Sequence, residues 1–247
     1  VSFGPSQFDT APVVLSQVQT TNGQDWVTTR HQNATLQGFS LAMQEEEAKN
    51  DLHVSETLGW VAWEIGTGAA GDEQFQAART GDTVTHTGQS VSFDSPGFAA
   101  PPVLFTQLAT TDGPDPAYAR AGGVTTADFS VVAKEERSKN AEENHTTERV
   151  DWLALTGDGV LRGEGFAPVM AEVGQTALTH RPASISFSHS FDNPVVFALT
   201  PSEVGPDSVA VRLSGISSSG FTARLQEPTG ENGTHTAETV TWLALEA

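Results

Sequence analysis

His235-Thr236-Ala237-Glu238-Thr239-Val240-Thr241-Trp242-Leu243-Ala244-Leu245 restates a line that the chain writes twice upstream. The earlier copies read His53-Val54-Ser55-Glu56-Thr57-Leu58-Gly59-Trp60-Val61-Ala62-Trp63 and His145-Thr146-Thr147-Glu148-Arg149-Val150-Asp151-Trp152-Leu153-Ala154-Leu155. Self-similarity at a fixed period outranks local propensity, because missing it misassigns the whole architecture.

The match extends outward. Val1-Ser2-Phe3, Val91-Ser92-Phe93 and Ile185-Ser186-Phe187 each precede a Phe (Phe8, Phe98, Phe191) and then a Pro (Pro12, Pro102, Pro194) that opens an apolar run. Pro to Arg is eighteen positions in every copy (12 to 30, 102 to 120, 194 to 212), and Arg to Phe is nine (Phe39, Phe129, Phe221). Between them lies a Gly-x-Asp loop ending at Asp25, Asp115 or Asp207, read first as a turn and second as a ligand.

Segments are short, β-branched or aromatic, and bounded by Gly, Pro, Asn, Asp and Ser, which specifies strands. The expected fold is all-β, with three tandem antiparallel sandwich repeats at 1–65, 66–155 and 156–247 packed as an intramolecular pseudo-trimer. Period two places Phe129, Val131, Ala133 and Glu135 on one face, and Glu148, Val150, Trp152 and Ala154 on one face of the next strand. A hairpin of the two would bring both Glu to its loop end. The opposite parity of the Trp strand is apolar too (Leu153, Leu155; Leu243, Leu245), which suits burial at a shared centre.

Ahead of Phe93 and Phe187 runs a further segment, Phe75 to Gly81 with His86 and Phe166 to Gly174 with His180. The first copy shows no counterpart, so it reads as a sandwich lacking its first strand and open to self-assembly or strand addition.

Thirty-one acidic against twelve basic residues give a net charge of −19, which repels phosphate backbones and anionic lipid and favours cations. Nucleic acid is therefore not an expected partner. No apolar run is long enough to span a bilayer, so membrane insertion is not expected either. With no Cys, neither disulfides nor thiolate metal sites are available.

The pattern resembles the H-type lectin family in Ile185 to Phe187, Phe191, Pro194 to Val196, Asp207, Arg212, Gly220-Phe221 and Val240 to Leu245. That resemblance implies six-stranded sandwiches associating in threes, with N-acetylgalactosamine-type sugars bound at protomer boundaries. It places Asp72 and Glu164 in the acidic role and His53, His145 and His235 in the sugar-contacting loop. The family's Arg position falls on Trp26, Pro116 and Ser208 here, a departure in which Trp26 can stack on a sugar ring. Tyr118 completes the candidate sugar contacts.

His53, His145 and His235 each sit near two carboxylates, Glu45 with Glu56, Glu135 with Glu148, and Glu227 with Glu238. Close carboxylates need a neutralising partner. Arg30, Arg120 or Arg212 from a neighbouring copy can supply it, and a bound cation is the alternative. An oxygen-rich set suits Ca²⁺, and Glu with His suits Zn²⁺. Triplicate sites without a nucleophile elbow or phosphate loop argue against an enzyme. The expected function is non-catalytic, extracellular or cell-surface binding of glycans or polysaccharide, cation-stabilised. The alternative is a structural or adhesive subunit of a fibre, tail or surface assembly.

Overall fold

The computed structural model describes residues 1–50, 52–70, 73–94, 97–157, 159–161, 171–199 and 202–247. It is all-β. Among the described residues no helix is long and apolar enough to cross a membrane.

The first copy contributes β1 (Val13–Val18), β2 (Val27–Thr35), β3 (Gly38–Glu45) and β4 (Leu58–Trp63). The second contributes β5 (Gly66–Ala70), β6 (Glu73–Arg79), β7 (Gln89–Ser92), β8 (Val103–Leu108), β9 (Ala117–Gly122), β10 (Asp128–Glu135) and β11 (Val150–Leu155). The third contributes β12 (Gly159–Leu161), β13 (Ala171–Leu178), β14 (Ala183–Ser186), β15 (Pro194–Leu199), β16 (Ala210–Ser217), β17 (Gly220–Gln226) and β18 (Glu238–Glu246).

Two sheet patterns recur. β5-β6-β11-β8 matches β12-β13-β18-β15, and β7-β10-β9 matches β14-β17-β16. In the first copy the sheets shrink to β1-β4 and β2-β3, with Ser2 bridging Gly38 where the other copies place β7 and β14. Every named pairing is antiparallel.

The expected hairpin does not form. β10 pairs with β7 and β9, whereas β11 pairs with β6 and β8, so the chain crosses from one sheet to the other between them. The crossing follows from the stripes already noted. Phe129, Val131 and Ala133 on β10 and Val150, Trp152 and Ala154 on β11 face one another across a shared core.

Aromatic side chains knit each core alike. Phe93 meets Phe98 at 4.9 Å between ring centroids, and Phe129 meets Trp152 at 5.6 Å. The third copy repeats this with Phe187–Phe191 at 5.1 Å and Phe221–Trp242 at 5.8 Å, the first with Phe3–Phe8 at 5.0 Å and Phe39–Trp60 at 5.5 Å. Edge-on geometries of this kind exploit the ring quadrupole.

A third cluster draws on all three copies. Val13, Leu15, Val103, Phe105, Leu153, Leu155, Phe197 and Leu243 pack together, using the second apolar parity of the Trp-bearing strands. Burial on both faces explains why β11 reads as a nearly continuous apolar run.

Candidate functional site

At one end of each copy an imidazole lies between two carboxylates. In the second copy β10 ends on Glu135, and the crossing loop returns to β11 through His145 and Glu148. His145 Nδ1 lies 2.5 Å from Glu135 Oε1, and Nε2 lies 2.9 Å from Glu148 Oε1. The first copy has His53 between Glu45 (2.9 Å) and Glu56 (3.3 Å), and the third has His235 between Glu227 (2.9 Å) and Glu238 (3.1 Å). Glu238 opens β18, Glu56 and Glu148 stand just ahead of β4 and β11, Glu45 and Glu135 close β3 and β10, and Glu227 follows β17.

The glycine of each Gly-x-Asp loop has a specific duty there. A Cβ on Gly23 would lie 2.4 Å from His53 Nε2, one on Gly113 2.6 Å from His145 Cε1, and one on Gly205 2.7 Å from His235 Nε2. Only glycine lets the loop backbone close over the ring. That closeness also delivers loop N–H groups to the carboxylate. Glu148 accepts from Asp112 N and Gly113 N, Glu56 from Asn22 N and Gly23 N, and Glu238 from Val204 N and Gly205 N. A hydroxyl adds to each set: Thr110, Thr20 and Ser202, respectively.

The guanidinium arrives from a different copy. Arg30 of the first copy meets Glu148 of the second at 2.8 Å, Arg120 of the second meets Glu238 of the third at 2.9 Å, and Arg212 of the third meets Glu56 of the first at 3.3 Å. Each Arg also donates to loop carbonyls of the copy it contacts. Arg120 reaches Ser202 O, Gly205 O and Asp207 O, Arg212 reaches Asp25 O and Gly23 O, and Arg30 reaches Thr110 O. The side chains of all six charged partners are buried.

Electrostatics follow this packing. Burial alone would raise Glu148, but the His145 and Thr110 hydrogen bonds and the Arg30 charge outweigh it and hold the carboxyl at about 2. Burial likewise opposes, and donors to the carboxylate prevail, at Glu56 and Glu238, which both lie below the ordinary range. His145 loses hydration on burial, yet its bonds to Glu148 and Glu135 raise it above 6.5. Glu135, more dependent on its one imidazole, is raised by burial. For His145, the charged imidazolium with both N–H groups donating is the state that this environment favours.

Metal-ligating atoms also gather at the outer end of this chain of contacts. Asp25, Glu45 and His53 form one group, Asp207, Glu227 and His235 a second, and Asp115, Glu135 and Glu142 a third, with the atoms of each group within 4.8 Å of one another. Asp25 and Asp207 thus take, in these groups, the places that the expected cation sets gave to Glu56 and Glu238. The His nitrogens already face carboxylates on both sides, so as a ligand the ring would have to surrender one of them. Glu45 Oε2 is buried with no hydrogen-bond partner among the described residues.

The expected sugar contacts are placed differently. Trp26 is fully buried against Tyr118, ring centroids 6.1 Å apart, so it offers no exposed face for stacking on a sugar. The reason is inter-copy packing: Tyr118 comes from the second copy, and its hydroxyl accepts from Val209 N of the third. His53, His145 and His235 occupy the ion-paired positions above. Asp72 and Glu164 lie outside the described residues.

One buried charge cluster carries no signature in the repeat. Asp151 receives Arg79 at 2.6 and 2.9 Å, His31 at 2.9 Å and the Val14 N–H at 2.8 Å. Its counterparts are Gly59 and Thr241. Reading by repeat therefore passes over it, and only the unusual pairing of a buried Asp and a buried His without copies elsewhere hints at it.

These features define a β-sandwich-like protein with buried imidazole, carboxylate and guanidinium chains linking its copies. Against known proteins, 156 residues are 30% identical to Halomucin from Haloquadratum walsbyi, covering 62% of this chain and 2% of that protein. The chain spans only that small part of the relative's length. No protein-family model matches, and no solved structure matches.

Proposed function

We propose that the chain is a non-catalytic structural module, three sandwich repeats closed into an intramolecular pseudo-trimer that serves as a building unit of a larger extracellular or cell-surface assembly. The observation that carries this reading is the cyclic order of the buried pairs, first copy to second, second to third, third to first. A heterologous contact repeated three times closes a ring when each step turns by a third. Glu56, Glu148 and Glu238, expected as cation ligands, are occupied in making those steps, and each His is held between two carboxylates of its own copy. The stretch shared with Halomucin is compatible with an extracellular or surface setting.

Sugar binding, the function implied by the lectin resemblance, is the alternative that one experiment separates. A glycan array is run on the purified chain with Ca²⁺ and with EDTA, alongside thermal melts in the same buffers. The structural reading expects no selective glycan binding and the same melting temperature in both. Selective binding lost in EDTA would replace it with a calcium-organised lectin, and selective binding kept in EDTA with a metal-independent one.

A further inference from the structure

The three groups of metal-ligating atoms are not equivalent. Asp25, Glu45 and His53 combine an imidazole with a carboxylate whose side chain is 3% exposed and whose Oε2 meets no hydrogen-bond donor among the described residues. In the third copy the matching oxygen, Glu227 Oε2, accepts the Gly233 N–H at 2.8 Å, and the Arg137 guanidinium of the second copy holds Asp207. In the second copy the exposed Glu142 stands in the group in place of the imidazole. A buried carboxylate oxygen without a donor costs free energy until something positive meets it. The cation already at the first group is Lys49, whose Nζ lies 2.9 Å from Asp25 Oδ1 on a side chain that is partly exposed and free to swing outward.

The spacing suits a metal ion. A tetrahedral ion with bonds of about 2.0–2.2 Å holds its ligand atoms roughly 3.3 Å apart. His53 Nδ1 and Glu45 Oε1 stand at 2.9 Å, and the ligand atoms of the whole group lie within 4.8 Å of one another. Closing on an ion therefore takes a side-chain movement of about 1.5 Å or less. The ring is also aimed as a ligand must be. Its Nε2 faces Glu56 Oε1 at 3.3 Å, and Glu56 is itself held by Thr20, the Gly23 N–H and Arg212. An imidazole whose far nitrogen donates to an anchored carboxylate has its tautomer and direction set before the ion arrives.

We propose that Asp25, Glu45 and His53 bind one divalent ion of the Zn²⁺ class at the outer end of the first copy. Nδ1 gives up its proton to solvent, and the ion takes the place between the ring and Glu45. Glu45 Oε2 gains its positive partner, Asp25 exchanges Lys49 for the ion, and water fills the fourth position on the solvent side. The nitrogen in the set selects against Ca²⁺, which takes six to eight oxygens. A net charge of −19 raises the concentration of cations at the surface. The Arg212–Glu56 pair is untouched by this step, so the inference stands apart from the structural reading. A chain freed of Zn²⁺ still melts alike in Ca²⁺ and EDTA.

The test uses the untagged chain, stripped with chelator and exchanged into chelator-free buffer. Titration calorimetry with Zn²⁺ should show one ion per chain, with a melting temperature that rises with Zn²⁺ concentration. Co²⁺ in its place should give the visible absorption of a four-coordinate site with nitrogen and oxygen ligands. Asp25→Asn changes a half-exposed side chain and keeps the backbone carbonyl that Arg212 uses, so the variant folds. It should weaken Zn²⁺ binding on the order of tenfold or more. Lys49→Ala removes the competing cation and should tighten binding several-fold, whereas Asp207→Asn should leave it unchanged. The proposal is overturned if the folded chain takes up no Zn²⁺ at millimolar concentration or if Asp25→Asn leaves the affinity as it was. Loss of binding with Asp207→Asn would overturn it in favour of the third copy, and displacement of Zn²⁺ by millimolar Ca²⁺ would refute the class of ion.

Discussion

Replacing Arg120 by Met tests whether the buried pairs hold neighbouring copies together. The guanidinium is fully buried and donates to the Glu238 carboxylate and to the Ser202, Gly205 and Asp207 carbonyls. Methionine fills much of the volume and satisfies none of these acceptors. Removing one partner of a buried pair leaves an uncompensated charge and costs about 3–5 kcal/mol. For a chain of this size each kcal/mol lowers the melting temperature by about 2–4 °C, so the expected loss is roughly 6 to 20 °C. The companion is Glu238→Gln, combined with Arg120→Met in a double-mutant cycle by urea denaturation. Because the two groups touch, the double variant should be milder than the sum of the singles by at least about 1 kcal/mol. A cost for Arg120→Met below about 1 kcal/mol, or strict additivity in the cycle, would refute the claim that this pair clamps the second copy to the third.

Further outcomes follow from the same geometry. Stability should be greatest between about pH 4.5 and 6.5: Glu148, depressed, contributes fully above the ordinary carboxylate range and loses that contribution as pH falls toward 2. His145, raised, contributes fully below 6.5 and loses it as pH rises through its folded value. Melting curves across pH should show both limbs, with Glu148→Gln flattening the acid one and His145→Gln the alkaline one. Gly113→Ala should cost about 1–3 kcal/mol in urea unfolding, since its new methyl meets the His145 ring. Trp152→Ala should cost about 3–5 kcal/mol and Trp60→Ala less than half as much, because Trp60 is only partly covered. Asp151→Ala should cost about 3–5 kcal/mol by stranding Arg79 and His31, whereas Thr241→Ala at the equivalent position should cost about 1 kcal/mol.

What could be read from sequence was whatever the three copies share. The Phe and Trp core positions, the two-sided apolar character of β11 and β18, and the need for an Arg from elsewhere to face the paired carboxylates all follow from residue type and period. The hairpin failed as an expectation because strand period reports which face a residue takes and not which neighbour a strand pairs with; β10 and β11 share a core but belong to different sheets. Trp26 failed because its cover, Tyr118, lies in another copy, where no local pattern points to it. Asp151 escaped for the opposite reason: it breaks the repeat. The glycines before Asp25, Asp115 and Asp207 specify turns by residue type, and their closer purpose, admitting an imidazole against the loop backbone, depends on a ring that lies far off in sequence.

The cyclic order of the Arg–Glu contacts has a consequence for how such a chain can change. In an association of three identical subunits, one codon alters all three junctions together, and a harmful change is felt three times. Covalent continuity frees each junction to drift separately and keeps the partners from parting on dilution. Asp151 with His31 and the Val14 N–H at one junction, Thr241 at the next and Gly59 at the third are three different answers to one position. The three junctions can thus specialise one by one while each keeps its Arg–Glu pair.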